Sequence, residues 1–447
     1  MEIEKTKGDI LKGFCLYLSR QGVPNVVVGD TSEYPDHIES DVDIVVRTSL
    51  DKDIKKVVSD FAKDSDLLLV QSLQHEIHAW CFVFSWGNKS PSNSIALDIC
   101  GDYVSDGKPL VRAVELLQGH QIAKTDDGDE KGFCVPAPEM EFIYYLLKKV
   151  DKAAIDHRQF GHLKLQLGMA SEVCVLRMGE YWPLNTARLV EHWLQNDDLS
   201  SFARALPELK AALVKNRRPN LIQRAFELVR KARRVLQPTG LVITVLGPDG
   251  SGKSAVGDRL VVDLAPAFRG LRRFHLRPSF LGKGLSGGNG QPVVDPHGKS
   301  ARSVLLSVAK IFYFLADYFG GYWARIRPLK VRSHLVLFDR YYHDLLIDPR
   351  RYRYGGPMGL AHFVSRFIPQ PDLFLVLDAP AEVIHSRKQE VPLEETRRQR
   401  DAYLAFAAST PNCIVINTAQ DIEETLREGR AAVLDFMARR VERRMGL

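Results

Sequence analysis

The sequence lacks the cysteine spacing of a disulfide or metal framework. Its six cysteines, Cys15, Cys81, Cys100, Cys134, Cys174 and Cys413, form no C-x-x-C pair and have mostly apolar neighbours. That is the setting of reduced thiols packed in cores, and reduced thiols point to a cytoplasmic protein. An uninterrupted run of the ~20 apolar residues needed by a membrane helix is also missing, since the most apolar stretch, Ile311 to Trp323, contains Asp317. No membrane partner is expected. Met1 to Ile10 mixes acidic and basic residues without an apolar core, unlike a signal peptide. There is no internal repeat and no low-complexity tract. Apolar residues make up 45% and charged residues 26% of the chain, which excludes disordered and fibrous classes.

The 447 residues exceed one ordinary domain, which spans roughly 100–200. The net charge of +6 conceals two unlike parts: residues 1–209 carry −11 and residues 210–447 carry +17. Such a reversal marks a domain seam and a polyanionic partner for the basic part. From Lys210 to Arg234 there are nine basic residues and one acidic, Glu227, at helical spacing. Pro238 and Gly240 then stop the helix. This stretch reads as a solvated connector, with an anion-binding surface as the alternative.

Beyond the seam, Leu241 to Leu246 is a short β-branched run that reads as a buried parallel strand. Leu335 to Phe338 and Leu373 to Leu377 repeat the pattern with helical stretches between, which gives an α/β parallel sheet with helices on both faces. The first run leads into Gly247-Pro248-Asp249-Gly250-Ser251-Gly252-Lys253-Ser254, a G-x-x-x-x-G-K-[ST] loop between a strand and a helix. Its glycines let successive N–H groups converge on phosphate oxygens, and the helix N-terminus adds its dipole. Lys253 is expected to reach the β- and γ-phosphates of ATP, and Ser254 to ligate Mg²⁺. At the end of the second run, Asp339-Arg340-Tyr341 offers a carboxylate for metal or proton handling where ligands bind in such sheets. Beside it is a guanidinium able to fork onto phosphate.

Residues 240–447 resemble thymidylate kinases. The similarity rests on Asp249 in the loop, Arg277-Pro278, Ile311 to Tyr318, Ile326-Arg327-Pro328 and Asp339-Arg340-Tyr341. It continues through Pro371-Asp372-Leu373, Leu377 to Pro380, and an Arg-bearing stretch from Arg387 to Arg400. The resemblance implies that Arg277 holds the acceptor phosphate. It also implies that lid arginines such as Arg397 neutralise charge on the transferring group. The departures are Tyr318 where the family has an arginine for the thymine base, Asp344 in place of a serine or threonine, and no glutamate beside Arg277. Gly282 to Gly298 is a Gly-rich insertion, and Arg350, Arg351 and Arg353 mark either an acidic-acceptor site or a solvated loop.

The N-terminal half carries strand-like runs at Asn25 to Val28, Val42 to Val46, Leu68 to Gln71, Phe82 to Ser85 and Ile95 to Ile99, then turns helical from Glu139. Asp41 and Asp43 lie two apart on a strand and share a face; Asp98 is a third strand carboxylate. Three convergent carboxylates hold Mg²⁺. The Gly29-Asp30, Asp41-Val42-Asp43 and Asp98 series resembles nucleotidyltransferases of the polymerase-beta type. Asp30 departs from it, standing where a small residue helps hold a triphosphate. His37, His75, His78, His157 and His162 show no metal-ligand spacing.

Three segments are therefore expected. Residues 1–209 form an α+β nucleotidyltransferase-like domain with a helical extension, 210–239 a basic helical linker, and 240–447 a thymidylate-kinase-like P-loop domain. The implied function is transfer of the γ-phosphoryl group of ATP to a small acceptor: a nucleotide, a sugar or a phosphorylated metabolite. The alternatives are a bifunctional nucleotidyltransferase/kinase and a nucleotide-binding regulator with little turnover. A second copy of the chain is a further partner to test; nucleic acid is not expected.

Overall fold

The structure, a computed structural model, describes residues 5–47, 53–76, 79–87, 93–105, 108–125, 127–215, 221–281 and 300–446. The Gly282 to Gly298 insertion thus lies outside the described residues. The chain forms two compact units: one of residues 1–87, 93–232 and 437–447, the other of 88–92 and 233–436.

The first unit is built on a mixed sheet of β1 (Asn25–Val28), β2 (Val42–Val46), β3 (Leu68–Glu76), β4 (Ala79–Ser85) and β5 (Ser94–Cys100), in the order β1-β2-β5-β4-β3. The pair β2/β5 is parallel and the others antiparallel. Strand β5 alternates buried and half-buried residues along its length, as a strand with one face on the core must. Val42, Ile44, Leu97, Ile99, Phe82 and Phe84 fill that core. Two short hairpins follow, β6 (Tyr103–Ser105) with β7 (Lys108–Val111) and β8 (Gln121–Lys124) with β9 (Glu130–Val135). Five helices, Pro138–Lys152, His157–Met169, Ser171–Met178, Leu184–Gln195 and Leu199–Lys215, then pack a second core around Phe142, Leu146, Leu163, Val190 and Phe202.

The second unit is α/β, with helices flanking a five-stranded, all-parallel sheet. Its strands are β10 (Leu241–Leu246), β11 (Gly270–His275), β12 (His334–Asp339), β13 (Leu373–Asp378) and β14 (Cys413–Asn417), in the order β11-β12-β10-β13-β14. The chain starts in the middle, runs to one edge, then to the other. The strand order therefore reverses beside β10, where open α/β sheets bind ligands.

One expectation is corrected here. Val304–Val331 is a continuous helical run of 28 residues, and its most apolar window has mean hydropathy 1.4. By length and composition it can cross a membrane. Asp317 does not break it, because its charge is taken up inside the protein. The carboxylate is fully buried, lies 3.1 Å from the Arg277 guanidinium, and accepts the backbone N–H groups of Ser279 and Leu281 at 3.2 and 2.8 Å. One face of the helix, with Ile311, Phe314 and Tyr318, lies in the core, while Leu305, Phe312, Phe319 and Trp323 are exposed.

Candidate active site

The phosphate loop is shaped by contacts that leave no room for side chains. Strand β10 is buried at every residue and ends at Gly247, with φ +145°. A Cβ there would meet the Leu377 carbonyl oxygen at 2.7 Å, and one at Gly250 (φ +92°) would meet that of Ile384 at 2.5 Å. Both distances are overlaps with fixed backbone, so these two positions require glycine. Gly252 caps the helix Lys253–Leu264, which begins at once. Ser251 is fully buried, and Ser254 is exposed on the first turn.

Lys253 Nζ donates to the carbonyls of Gly247 (2.8 Å) and Pro248 (2.7 Å) and to Asp249 (3.3 Å). Burial pushes its ammonium down to about 8, and the neighbouring Arg340 adds to the effect. Asp249 also pairs with Arg340 and Arg351. Burial opposes its ionisation, but Lys253 and Arg340 outweigh that and hold the carboxyl well below the usual range. Three cations thus converge on one loop carboxylate. Arg340 takes up φ +66°, a left-handed conformation that costs a bulky residue roughly 1–3 kcal/mol. Buried Asp344 holds it there at 2.8 Å, and Asp344 accepts the Tyr403 hydroxyl at 2.9 Å.

Asp339 ends β12 opposite Val245 of β10. Arg273 of β11 grips its Oδ2 through Nε at 2.7 Å and Nη2 at 2.6 Å. The other oxygen, Oδ1, is buried with no hydrogen-bond partner among the described residues. Arg277 lies elsewhere. It is 5% exposed, paired with Asp317 and laid 4.9 Å from the Tyr313 ring centroid. Arg397 is half exposed and paired with Glu382 at 2.7 Å. Arg400 instead forks onto Asp378, at the end of β13, at 2.8 and 2.9 Å. The structure thus gathers Asp249, Lys253, Arg340 and Arg351 around the loop, with Asp339 at the end of the adjoining strand, and does not bring Arg397 to them. Arg273 escaped the sequence reading because nothing in Gly270–His275 pairs it with Asp339 until β11 and β12 align. Tyr318 is 1% exposed and donates its hydroxyl to the Leu276 carbonyl.

The first unit holds a cleft of about 560 Å³ whose lining mixes the carboxylates Asp30, Asp41, Asp43 and Asp98 with the cations Lys148, Lys149, Lys152 and Arg158. Asp43 and Asp98 are register partners on β2 and β5, while Asp41 precedes β2 and is exposed. Asp43 pairs with Lys148 of the helix Pro138–Lys152. Burial raises Asp98 to about 6, against a hydrogen bond from the Cys81 thiol that lowers it. The Asp30 charge is compensated. Its carboxylate accepts Ser32 Oγ at 2.6 Å and Arg158 Nε at 3.3 Å, and His162 Nδ1 lies 3.5 Å away. Burial lowers Lys149 to about 8.

The loop, the sheet order and the strand-end carboxylate define the second unit as an α/β fold with a parallel sheet and a P-loop. Relatives then narrow the class. Over 221 residues, 46% of this chain and 88% of the relative, it is 29% identical to the thymidylate kinase of Xanthomonas campestris pv. campestris (strain B100). It is 27% identical, over the same length, to those of Xanthomonas euvesicatoria pv. vesicatoria and Xanthomonas oryzae pv. oryzae. The crystal structure of a thymidylate kinase from Ehrlichia chaffeensis aligns with 44% of this chain and 98% of that one, at 18% identity and a TM-score of 0.32. No family model matches the chain. The sequence similarity marks thymidylate-kinase-like homology over about 46% of the chain and supports a phosphotransferase.

Proposed function

We propose that the second unit transfers the γ-phosphoryl group of ATP to a small phosphorylated acceptor, with nucleoside monophosphates the first class to test. The observation that carries this reading is the convergence of Lys253, Arg340 and Arg351 on Asp249 at the C-terminal end of β10. These cations share one carboxylate. A polyphosphate replaces it with more negative charge and more acceptor oxygens. The loop amides and helix N-terminus bind the phosphates. Lys253 leaves its two carbonyls to reach the β- and γ-oxygens, and the arginines offset the charge of the transferring group. Ser254 and the unpartnered Oδ1 of Asp339 are hard oxygen donors that fit Mg²⁺, which would neutralise phosphate charge when bound. Arg273 fixes the Asp339 carboxylate. Arg277, buried against Asp317, acts on the acceptor as a positioning residue for the segment 277–281.

The test is transfer of label from γ-labelled ATP across nucleoside monophosphates, including thymidylate, and sugar phosphates. The Lys253→Ala variant should lose about 100-fold or more. Full activity in that variant would defeat the assignment, and tight ATP binding with no turnover on any acceptor would favour a regulatory protein.

A second reading concerns the first unit, favoured by the in-register Asp43 and Asp98 in a cleft that also holds Lys148, Lys149, Lys152 and Arg158. We propose that this cleft transfers a nucleotidyl group. Asp41, Asp43 and Asp98 would hold Mg²⁺, and the lysines would hold the triphosphate. Pyrophosphate release should vanish in Asp41→Asn and Asp43→Asn; its persistence would end this reading.

A further inference from the structure

Strand pairing brings together three side chains that the sequence scatters. Cys81 on β4 is the register partner of Asp98 on β5 and of Leu73 on β3. Residues directly opposite across a sheet point to the same face. His75 is two residues beyond Leu73, at a bulge where the pairing slips between Gln74 and Glu76. Bulges of this kind re-aim a side chain next to functional sites. The outcome is a row across three neighbouring strands. The ligating atoms of His75, Cys81 and Asp98 all lie within 4.8 Å of one another, and His75 Nε2 is 3.7 Å from Asp98 Oδ1.

We propose that His75, Cys81 and Asp98 form a site for a borderline-soft divalent cation of the Zn²⁺ type. Bonds of roughly 2.0–2.3 Å to nitrogen, oxygen and sulfur in a tetrahedral array place donor atoms about 3.3–3.8 Å apart. The His75–Asp98 separation already meets this, and an inward movement of about 1 Å closes the rest. The donor set excludes Mg²⁺ as the natural occupant, because a thiolate and an imidazole suit Zn²⁺ whereas Mg²⁺ demands oxygen. The Cys81 thiol now donates to Asp98. On binding, the cation takes the place of that proton, which leaves to solvent as the sulfur–metal bond forms. Asp98 also lines the cleft, so the cation sits at the edge of the proposed nucleotidyl-transfer site without depending on that activity. Three protein ligands leave a fourth position open, the pattern of sites that bind an exchangeable ligand.

The test is a Co²⁺ titration of the full chain, reduced and metal-stripped, followed by visible and near-ultraviolet absorption. One equivalent should produce a sulfur-to-cobalt charge-transfer band with intense four-coordinate d–d bands, and one equivalent of Zn²⁺ should displace them. Cys81→Ser should abolish the charge-transfer band. His75→Gln, at the half-exposed rim, should weaken binding about 10-fold or more and carries the test should the buried cysteine variant fail to fold. Asp41→Asn should leave the spectrum unchanged while removing any pyrophosphate release, which separates this site from the cleft's chemistry. A wild type without the band, or a band that survives both Cys81→Ser and His75→Gln, overturns the proposal.

Discussion

Among single residues, Lys253 and Glu141 show how burial sets chemistry. Lys253 is pushed down to about 8, so the free protein at pH 9 holds it largely neutral, and bound phosphate draws the proton back. ATP affinity should therefore fall as pH rises through about 8, with proton uptake on binding near pH 9. Calorimetry in buffers of different ionisation enthalpy measures that uptake, and its absence would remove Lys253 from the phosphate site. Burial lifts Glu141 to about 7, helped by the nearby Asp30 charge. A group raised in the fold contributes stability in full below its unfolded value of 4.5 and loses it as pH rises through about 7. The shift corresponds to about 3 kcal/mol. Glu141→Gln should match the wild type near pH 4 and exceed it in stability above pH 7 by denaturant unfolding. Of these details the sequence shows the lysine, because its loop is a contiguous pattern. It hides Arg273 and the burial of Glu141, which depend on neighbours distant in the chain, and the Asp344 anchor, whose Tyr403 partner lies 59 residues on.

Along the elements, legibility followed burial. Strands β10, β12 and β13 are buried almost throughout and stand out as apolar runs. The edges β11 and β14 are half exposed. Arg272 and Arg273 interrupt β11, so no run signals it. In the first unit β3 extends five residues past Gln71, through His75, because pairing with β4 carries it on. The full length of the helix Val304–Val331 is not visible in the sequence because an aspartate in an apolar segment reads as a break. Here Arg277 and two amides satisfy it. Removing one partner of a buried ion pair costs roughly 3–5 kcal/mol, whereas replacing both by apolar groups is often neutral. Asp317→Ala should thus lower unfolding free energy by about 3–5 kcal/mol, and the double variant Arg277→Met, Asp317→Leu should recover only the part owed to the unpaired Arg277 charge, because the Ser279 and Leu281 amides still lose their acceptor. A double variant no more stable than Asp317→Ala would show that the two amide bonds, and not the ion pair, carry the cost.

For the whole molecule, the charge split has a structural counterpart. The carboxylate row lies in the acidic part of the chain, and the phosphate loop in the basic part. The two proposed chemistries use separate residues. Asp43→Asn should therefore abolish pyrophosphate release and leave γ-phosphoryl transfer at its wild-type rate, and Lys253→Ala should do the reverse. Loss of both activities in either variant would mean that one site serves both. The proposed kinase activity hinges on the loop of residues 247–254. The most direct measurement is label transfer from γ-labelled ATP to an acceptor panel by the wild type and by Lys253→Ala, with folding of both confirmed by circular dichroism. The wild type should give a labelled, phosphatase-sensitive product and the variant should lose about 100-fold or more. Equal transfer by the two proteins, or no transfer to any acceptor despite tight ATP binding, would contradict it.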